Sequence, residues 1–180
     1  MIHDALPVYG LDIETDTAVD GLDPAVSAII AIAVTGPAVT GPAAAGNGGC
    51  RVFSGAEAHI LTELDDHMRQ LPPGVVVTWN GSGFDLPFLV ERAARSGAPS
   101  GLRTRLDPQL ATRTPLPGHT GSYRGVWQSN EGLPHLHLDA YRVYRNDLHR
   151  LLDLSCSLKS VAGFVGLELV EFDASKVHEP

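Results

Sequence analysis

Short apolar runs separated by glycine- and proline-rich stretches dominate the first half of the chain. The run from Val8 to Asp16 is apolar until it ends in acidic residues, and Ala25 to Val34 is almost continuously apolar. Runs of this length bounded by turn residues are typical of strands with one or both faces buried. We therefore predict that these two strands pair with each other and that a third strand follows at Cys50 to Phe53.

Helical spacing replaces the strand pattern after residue 53. Ser54 is a suitable helix N-cap, and apolar residues then recur every three or four positions up to the Leu71–Gly74 segment. These apolar positions are Ile60, Leu61, Leu64 and Met68. Val75 to Trp79 reads as a buried strand, and the turn after it leads to a helix that starts near Phe84. A strand meander followed by helix, strand and helix predicts an α/β fold with a sheet of mixed direction.

The second half of the chain is less regular. Gly, Pro, Ser, Thr and Arg dominate from Ala98 to Pro134, with Tyr123 and Trp127 interleaved. We interpret this stretch as a long loop that either cradles a nucleic-acid strand or covers the sheet as a surface flap with packed aromatics. His135 to Asp139 alternates like an edge strand, and Ser155 to Val165 has helical spacing.

Composition suits one globular domain. The 180 residues are 43% hydrophobic and 19% charged, and no run of about 20 apolar residues is present. The N-terminus also lacks a basic start followed by an apolar run, so we expect a soluble cytoplasmic protein without a membrane partner. Cys50 and Cys156 lie far apart and predict neither a disulfide framework nor a structural zinc site.

The net charge of -8 is unevenly distributed. Residues 1–91 contain twelve acidic and two basic residues, whereas residues 92–159 contain five acidic and ten basic residues. An acidic part that attracts cations beside a basic part that follows phosphates is expected of a metal-dependent nuclease. The alternative is an ordinary solvated surface, since eleven of the thirteen basic residues are arginines.

Two carboxylates end the first strand. Because side chains alternate along a strand, Asp12 and Glu14 point to one face, while Leu11 and Ile13 point to the other. Two like charges about 4 Å apart repel by about 4 kcal/mol at an effective dielectric near 20. A hard divalent cation such as Mg²⁺ or Mn²⁺ would relieve that repulsion. The alternative is a solvated strand end with no ligand.

A second candidate lies in the stretch from Asn80 to Leu89, Asn-Gly-Ser-Gly-Phe-Asp-Leu-Pro-Phe-Leu. Its glycines allow a tight turn at the carboxyl end of a strand, the position where open α/β sheets bind ligands. Asp85 falls in the first turn of the following helix. The alternative is that Asp85 merely interacts with the helix dipole.

Asp12-x-Glu14 and Asn80-x-x-x-Phe84-Asp85 together resemble the two acidic motifs of the DnaQ-like 3'-5' exonucleases, most closely the exonuclease domains of family B DNA polymerases and their stand-alone relatives. The resemblance extends over nearly the whole chain. It implies a ribonuclease-H-like fold, a mixed five-stranded sheet flanked by helices. It also implies two divalent ions, with Asp12 bridging both, Glu14 holding one and Asp85 acting mainly on the other.

The activity implied by this resemblance is hydrolysis of phosphodiester bonds at the 3' end of single-stranded DNA or RNA. Asp12, Glu14 and Asp85 are the expected catalytic residues and ligands of two Mg²⁺ or Mn²⁺ ions. Thr15, Asn80 and Phe84 are candidate substrate contacts. Trp79 is a weaker candidate, included because aromatic side chains stack on bases. The alternative for both aromatics is the core. Neither the protein partners nor the preference for DNA or RNA follow from the sequence.

Two other functions fit parts of the sequence. His135, His137 and Asp139 share one face of the predicted edge strand, a spacing that suits a zinc-dependent hydrolase. A catalytically silent nucleic-acid-binding module on the same fold is the other alternative.

The third exonuclease motif, Tyr-x-x-x-Asp or His-x-x-x-x-Asp on a C-terminal helix, is not found in the sequence. Asp173 follows Leu169 at the relevant spacing. We therefore expect residues 1–180 to form a single exonuclease domain truncated before this motif, without the C-terminal helix and with an exposed apolar patch. If the chain is nevertheless fully active, Asp139 or Asp173 would complete the site.

Overall fold

A five-stranded mixed sheet forms the centre of the molecule. The computed structural model describes residues 6–36, 49–107, 122–149 and 153–167. The sheet strands are β1 (Val8–Thr15), β2 (Ile29–Thr35), β3 (Cys50–Ser54), β4 (Val75–Thr78) and β7 (Leu136–Asp139). Their order is β3-β2-β1-β4-β7. The first three strands pair antiparallel, while β4 is parallel to both β1 and β7. The predicted mixed α/β sheet and the pairing of its first two strands are therefore confirmed.

β1 lies in the middle of the sheet and separates two kinds of side chain. Tyr9, Leu11 and Ile13 are buried, whereas Asp12 and Glu14 are exposed on the opposite face. This alternation confirms the predicted face of each residue. The acidic pair therefore lies on the side of β1 away from the hydrophobic core.

Two helices cover the buried face of the sheet. They are α1 (Glu57–Gln70) and α2 (Asp85–Ser96). The apolar positions predicted for α1 are all buried. The N-cap of α1 is Ala56, with no side-chain cap, and Ser54 is instead the last residue of β3. The predicted Ser54 cap was therefore wrong, because the β3 ladder to Ala31 extends through Ser54.

An ion pair connects the two helices. Arg92 of α2 donates to both carboxylate oxygens of Glu57, at 2.8 and 2.5 Å, and also to the carbonyl oxygen of Pro24. Glu57 additionally accepts the backbone N–H of Ile29 at 2.7 Å. Both side chains are 15% exposed, so the pair is partly shielded from water.

The stretch predicted as a long loop contains a β-hairpin. β5 (Leu102–Asp107) pairs antiparallel with β6 (Ser122–Trp127), in register from Leu102↔Trp127 to Asp107↔Ser122. Trp127 is buried, and its indole N–H donates to Asp65 of α1 at 3.2 Å. The loop prediction was wrong for these two strands, because pairing across the hairpin outweighs the turn-rich composition. Residues 108–121 lie outside the described part of the chain.

The chain divides into two compact units, residues 1–140 and 141–180. The sheet, α1, α2 and the hairpin belong to the first unit. Among the described residues after β7, the helical elements are α3 (Ala140–Val143), a π-helix (Tyr144–Leu148) and α4 (Leu158–Phe164). The α4 N-cap is Ser157, whose hydroxyl accepts the Ser160 N–H. Asp173 and the rest of residues 168–180 lie outside the described residues.

The face of the sheet opposite α1 and α2 carries exposed apolar side chains. They belong to three of its strands: Val8, Val52, Leu136 and Leu138, each at least 44% exposed. This agrees with the expected apolar patch, while its predicted cause and the tendency to associate stay predictions. No helix in the described ranges is both long and apolar enough to cross a membrane.

Candidate active site

The acidic end of β1 lies where its neighbour β4 stops. The parallel ladder between these strands runs from Val8↔Val75 to Gly10↔Val77. Beyond it, the backbone N–H of Ile13 donates to Asp85 Oδ1 at 3.3 Å. A side-chain carboxyl from the start of α2 thus replaces the missing strand partner. This bond brings Asp85 against the backbone between Asp12 and Glu14.

A tight turn between β4 and α2 places Asp85 there. Asn80 has a left-handed backbone (φ 64°), and its carbonyl oxygen accepts the N–H groups of Gly83 and Phe84. Gly81 lies so close to the Thr78 side chain that a Cβ atom would overlap it. The predicted glycine turn and the helix start with Asp85 in its first turn are both confirmed.

Asp85 is the most strongly perturbed carboxyl in this part of the molecule. It is 3% exposed, and its burial, followed by the negative charge of Asp12, raises its pKa to about 7. The charge of Asp139 acts in the same direction, while hydrogen bonds from backbone N–H groups, including that of Ile13, oppose it. Asp85 therefore carries a proton over much of the acidic to neutral range.

Asp12 and Glu14 belong to the same electrostatic group. Partial desolvation raises the pKa of Asp12, although the N–H of Ile13 opposes this. Desolvation and then the charge of Asp12 raise the pKa of Glu14. Asp12 therefore interacts with each of the other two acids at the end of β1.

These carboxylates suit a hard divalent cation by chemistry. Their oxygens are the donors that Mg²⁺ and Mn²⁺ prefer. Burial and, for Glu14 and Asp85, the charge of Asp12 raise their pKa values, and a bound cation would favour their charged forms. Within the described ranges, however, no three acidic, histidine or cysteine side chains form a ready metal-binding group. The donor atoms therefore suit a hard cation, but the described side chains are not arranged as a complete set of metal ligands.

The three candidate substrate contacts differ in their surroundings. The Thr15 hydroxyl donates to the carbonyl oxygen of Gly21 at 2.7 Å, and the β1–β2 register shifts beside it. Phe84 is half-buried, packs against the core, and its ring lies 5.3 Å from that of Phe88. Asn80 lies in the turn next to Asp85. Their roles in substrate binding stay predictions.

The histidines proposed as zinc ligands have other contacts. His135 is fully buried; its Nδ1 accepts the Gly74 N–H at 3.3 Å, and its Nε2 donates to the Met68 carbonyl oxygen at 2.9 Å. His137 Nε2 lies 2.9 Å from the Thr78 hydroxyl. Because both nitrogens of His135 are engaged in the fold, the zinc interpretation is not supported.

Asp139 has a role that the sequence did not reveal. It is 7% exposed, and its two carboxylate oxygens accept the backbone N–H groups of Asn80 at 2.9 Å and Ser82 at 3.1 Å. The sequence shows only that Asp139 ends a strand. Its role depends on that strand lying parallel to β4, where Asp139 pairs with Thr78. That neighbour could not be assigned from local spacing.

The hairpin lies against the same turn. The Tyr123 N–H donates to the Ser82 carbonyl oxygen at 2.8 Å, and Gly125 lies directly on Leu86 in the first turn of α2. The other face of the hairpin carries three exposed arginines, Arg103, Arg105 and Arg124. A cationic surface is therefore attached to the turn that carries Asp85.

The mixed five-stranded sheet flanked by helices is an α/β fold of the ribonuclease-H type. A model of the family described as DNA polymerase family B, exonuclease domain, matches residues 3–161, and the chain belongs to this family. This membership supports a nuclease function in general and agrees with the resemblance inferred from the two acidic motifs.

Individual relatives are much longer than this chain. It is 44% identical over 41 residues to a DNA polymerase epsilon catalytic subunit of Arabidopsis thaliana, a match that covers 23% of this chain and 2% of that protein. The structure of the family B DNA polymerase from the hyperthermophilic archaeon Pyrobaculum calidifontis matches with a TM-score of 0.59 and 21% identity. That match covers 91% of this chain and 18% of the polymerase, and it shows similarity of fold.

Proposed function

We propose that this protein is a metal-dependent 3'-5' exonuclease that hydrolyses phosphodiester bonds at the 3' end of single-stranded nucleic acid. The observation that carries the proposal is the coupled group formed by Asp12, Glu14 and Asp85 at the end of β1. Membership of a family of exonuclease domains supports the same reaction.

The carboxylates of Asp12, Glu14 and Asp85 would hold two Mg²⁺ or Mn²⁺ ions. Bound divalent cations would lower the pKa of the attacking water and stabilise the charge on the leaving 3'-oxygen. The protein contributes the placement of the ligands: β1 fixes Asp12 and Glu14 on one face, and the bond to the Ile13 N–H orients Asp85.

Burial makes cation binding by Asp85 depend on pH. A carboxyl with a pKa of about 7 releases its proton readily when a cation arrives near neutral pH. At lower pH the proton competes with the cation for the same oxygens, so cation affinity should fall as the pH decreases. Glu14 and Asp12, whose pKa values are also raised, add to this competition.

The hairpin supplies the second element of the proposal. Its three exposed arginines would contact the phosphate backbone of the strand, while Asn80, Phe84 and Thr15 would contact the terminal nucleotide. Arginine side chains on one face of an antiparallel ladder offer charges at intervals along a strand. This surface also favours the second candidate, a nucleic-acid-binding module without catalytic activity.

A digestion experiment separates these functions. Single-stranded DNA and RNA carrying a 5' label are incubated with the protein in Mg²⁺, Mn²⁺ or Zn²⁺, and Asp12→Asn serves as the control. Stepwise shortening from the 3' end in Mg²⁺ or Mn²⁺, lost in Asp12→Asn, is the expected result. Binding in EDTA without shortening in any metal would identify the silent module, and cleavage with Zn²⁺ alone would contradict both proposals.

A further inference from the structure

We infer that Asp139 is a positioning residue for Asp85: its carboxylate fixes the turn from Asn80 to Phe84 and so determines where α2 presents Asp85. The inference rests on the proposed function for its catalytic consequence. Its structural part is independent of that function, because it concerns only contacts between β7 and the turn.

The turn requires an external acceptor. Asn80 holds a left-handed backbone, a conformation that costs non-glycine residues free energy unless the surroundings fix it. Within the turn, the Asn80 carbonyl oxygen accepts the N–H groups of Gly83 and Phe84, so the N–H groups of Asn80 and Ser82 find their acceptors outside the turn. Asp139 accepts both of them.

A carboxylate is suited to this position. Each of its oxygens takes one backbone N–H, and bonds to a charged acceptor are stronger than bonds between neutral groups. An asparagine has one acceptor oxygen and one amide group at its end. The Asn amide would therefore place a donor against one of the two N–H groups, leaving that N–H unsatisfied in a buried site.

The parallel register transmits this position to Asp85. Asp139 pairs with Thr78, the last residue of β4, so it stands beside the point where the turn begins. His137 contacts Thr78 from the same strand, and Gly81 packs tightly on the Thr78 side chain. After the turn, the Gly81 carbonyl oxygen accepts the Leu86 N–H at 3.0 Å, which ties the turn to the start of α2.

The same residue carries an electrostatic cost. The Asp139 charge contributes to raising the pKa of Asp85, so a negative group here opposes ionisation of the neighbouring acid. A neutral residue would remove that repulsion. The carboxylate is favoured by its two hydrogen bonds from the backbone N–H groups of Asn80 and Ser82, and these bonds fix the conformation of the turn.

The test compares Asp139→Asn with Glu57→Gln. Glu57 is a demanding control, because it is also a shielded carboxylate that accepts a backbone N–H, from Ile29, and its ion pair with Arg92 holds α2 without touching the turn. Amide hydrogen exchange measured by NMR should become at least about tenfold faster at Asn80 and Ser82 in Asp139→Asn. It should be unchanged there in Glu57→Gln. Equal exchange at both amides in the two variants would overturn the inference.

Kinetics give the catalytic part. With Mg²⁺ and a single-stranded substrate, kcat of Asp139→Asn should fall by about a hundredfold while KM changes by less than about twofold, because misplaced groups affect the reaction more than binding. A kcat equal to that of Glu57→Gln would contradict the positioning role. If the unaltered protein neither cleaves nor shows broadening of the Asp85 amide signal by Mn²⁺ alone, the proposed function fails and amide exchange still decides the role of Asp139.

A measurement on the unaltered protein covers the case in which Asp139→Asn does not fold. Scalar couplings across hydrogen bonds should connect the amide nitrogens of Asn80 and Ser82 with the side-chain carboxyl carbon of Asp139. Detection of both couplings supports the inference. Their absence, with the control couplings of β1 to β2 visible, would overturn it.

Discussion

The acidic residues proposed for the reaction lower the stability of the metal-free protein. Asp12 reaches solvent from β1, yet its charge adds to the effect of burial in raising the pKa of both Glu14 and Asp85. Grouping like charges lowers the stability of the metal-free fold, as is common where residues are arranged for function. Substitutions in this group should therefore separate activity from stability.

Asp12→Asn should abolish metal-dependent cleavage, because a proposed metal ligand loses its charge. The same change removes repulsion, so the midpoint of thermal unfolding without metal should stay the same or rise slightly. Calorimetry in EDTA and a cleavage assay test the two parts. A large fall in the unfolding temperature would instead make Asp12 a structural residue.

Asp85 should make the metal-free protein less stable as the pH rises. Its pKa of about 7 in the fold exceeds the ordinary value of 3.8, so its contribution is fully present below pH 3.8 and is lost as the pH rises through 7. Between about pH 5 and pH 8 the loss should reach up to about 3 kcal/mol. Denaturant unfolding in EDTA measures it.

Asp85→Asn is the matched variant for this pH dependence. Asparagine resembles the protonated acid in shape and can still accept the Ile13 N–H through its oxygen. The variant should match the unaltered protein below about pH 4 and exceed its free energy of unfolding by a growing amount up to about pH 8. Parallel pH profiles for the two proteins would show that another group causes the change.

Local spacing revealed some site residues and missed another. Asp12 and Glu14 could be placed on one face because strand alternation depends only on neighbouring positions. The first-turn position of Asp85 followed from the glycine turn before it. The Asp139 contacts could not be predicted, because they depend on β7 lying beside β4, and 57 residues separate Asp139 from Ser82.

At the scale of elements, the hairpin is the part that composition concealed. Its sequence is rich in turn formers and arginine, while its strands are defined by pairing between residues 102–107 and 122–127. Leu102, Gly125 and Trp127 are buried on one face, and arginines occupy the other. The basic and aromatic residues are evident in the sequence, whereas the ladder that places them on two faces depends on pairing between distant residues.

The arginine face should determine the salt dependence of nucleic-acid binding. If it contacts phosphates, the logarithm of single-strand affinity should fall linearly with the logarithm of salt concentration, with a slope of about 0.7 per phosphate neutralised. Changing Arg103, Arg105 and Arg124 to Ser should make that slope smaller. Binding measured by fluorescence anisotropy in EDTA tests this without cleavage.

An unchanged slope would assign the three arginines to an idle solvated surface. Arg95→Ser is a suitable control, because Arg95 is an exposed arginine on α2 that pairs with Glu91 at 2.9 Å. It removes one positive charge without altering the hairpin. We expect it to leave the slope almost unaltered.

The position of the hairpin on α2 should depend on the close contact of Gly125 with Leu86. Gly125→Ala places a methyl group into the Leu86 side chain, and overpacking of this kind typically costs about 1 to 3 kcal/mol. Adding Leu86→Ala should recover part of that loss by creating space. Denaturant unfolding of both single variants and the double variant measures the coupling, and strictly additive losses would contradict it.

At the scale of the whole molecule, uneven charge connects stability with cation binding. Ten net negative charges lie in residues 1–91, which include all three acids of the site. A ligand that binds the folded state raises the free energy of unfolding by about 2.7 kcal/mol at one hundred times its dissociation constant. Mg²⁺ should therefore raise the unfolding temperature at low ionic strength.

Asp12→Asn should remove most of this Mg²⁺ effect, and Glu57→Gln should retain it. Calorimetry at several Mg²⁺ concentrations, with ionic strength held constant by NaCl, separates specific binding from screening. An equal rise for all three proteins would attribute the effect to general neutralisation of the acidic surface.

Trp127 gives the hairpin an optical reporter. Its indole is 4% exposed and bonded to Asp65, and Trp79, which follows β4, is the second of the two tryptophans in the chain. Indole emission shifts to longer wavelength when water replaces a buried carboxylate partner. A Trp79→Phe protein would contain Trp127 as its single tryptophan. Any detachment of the hairpin from α1 while single-stranded nucleic acid binds would then change the fluorescence of Trp127 on the timescale of the reaction.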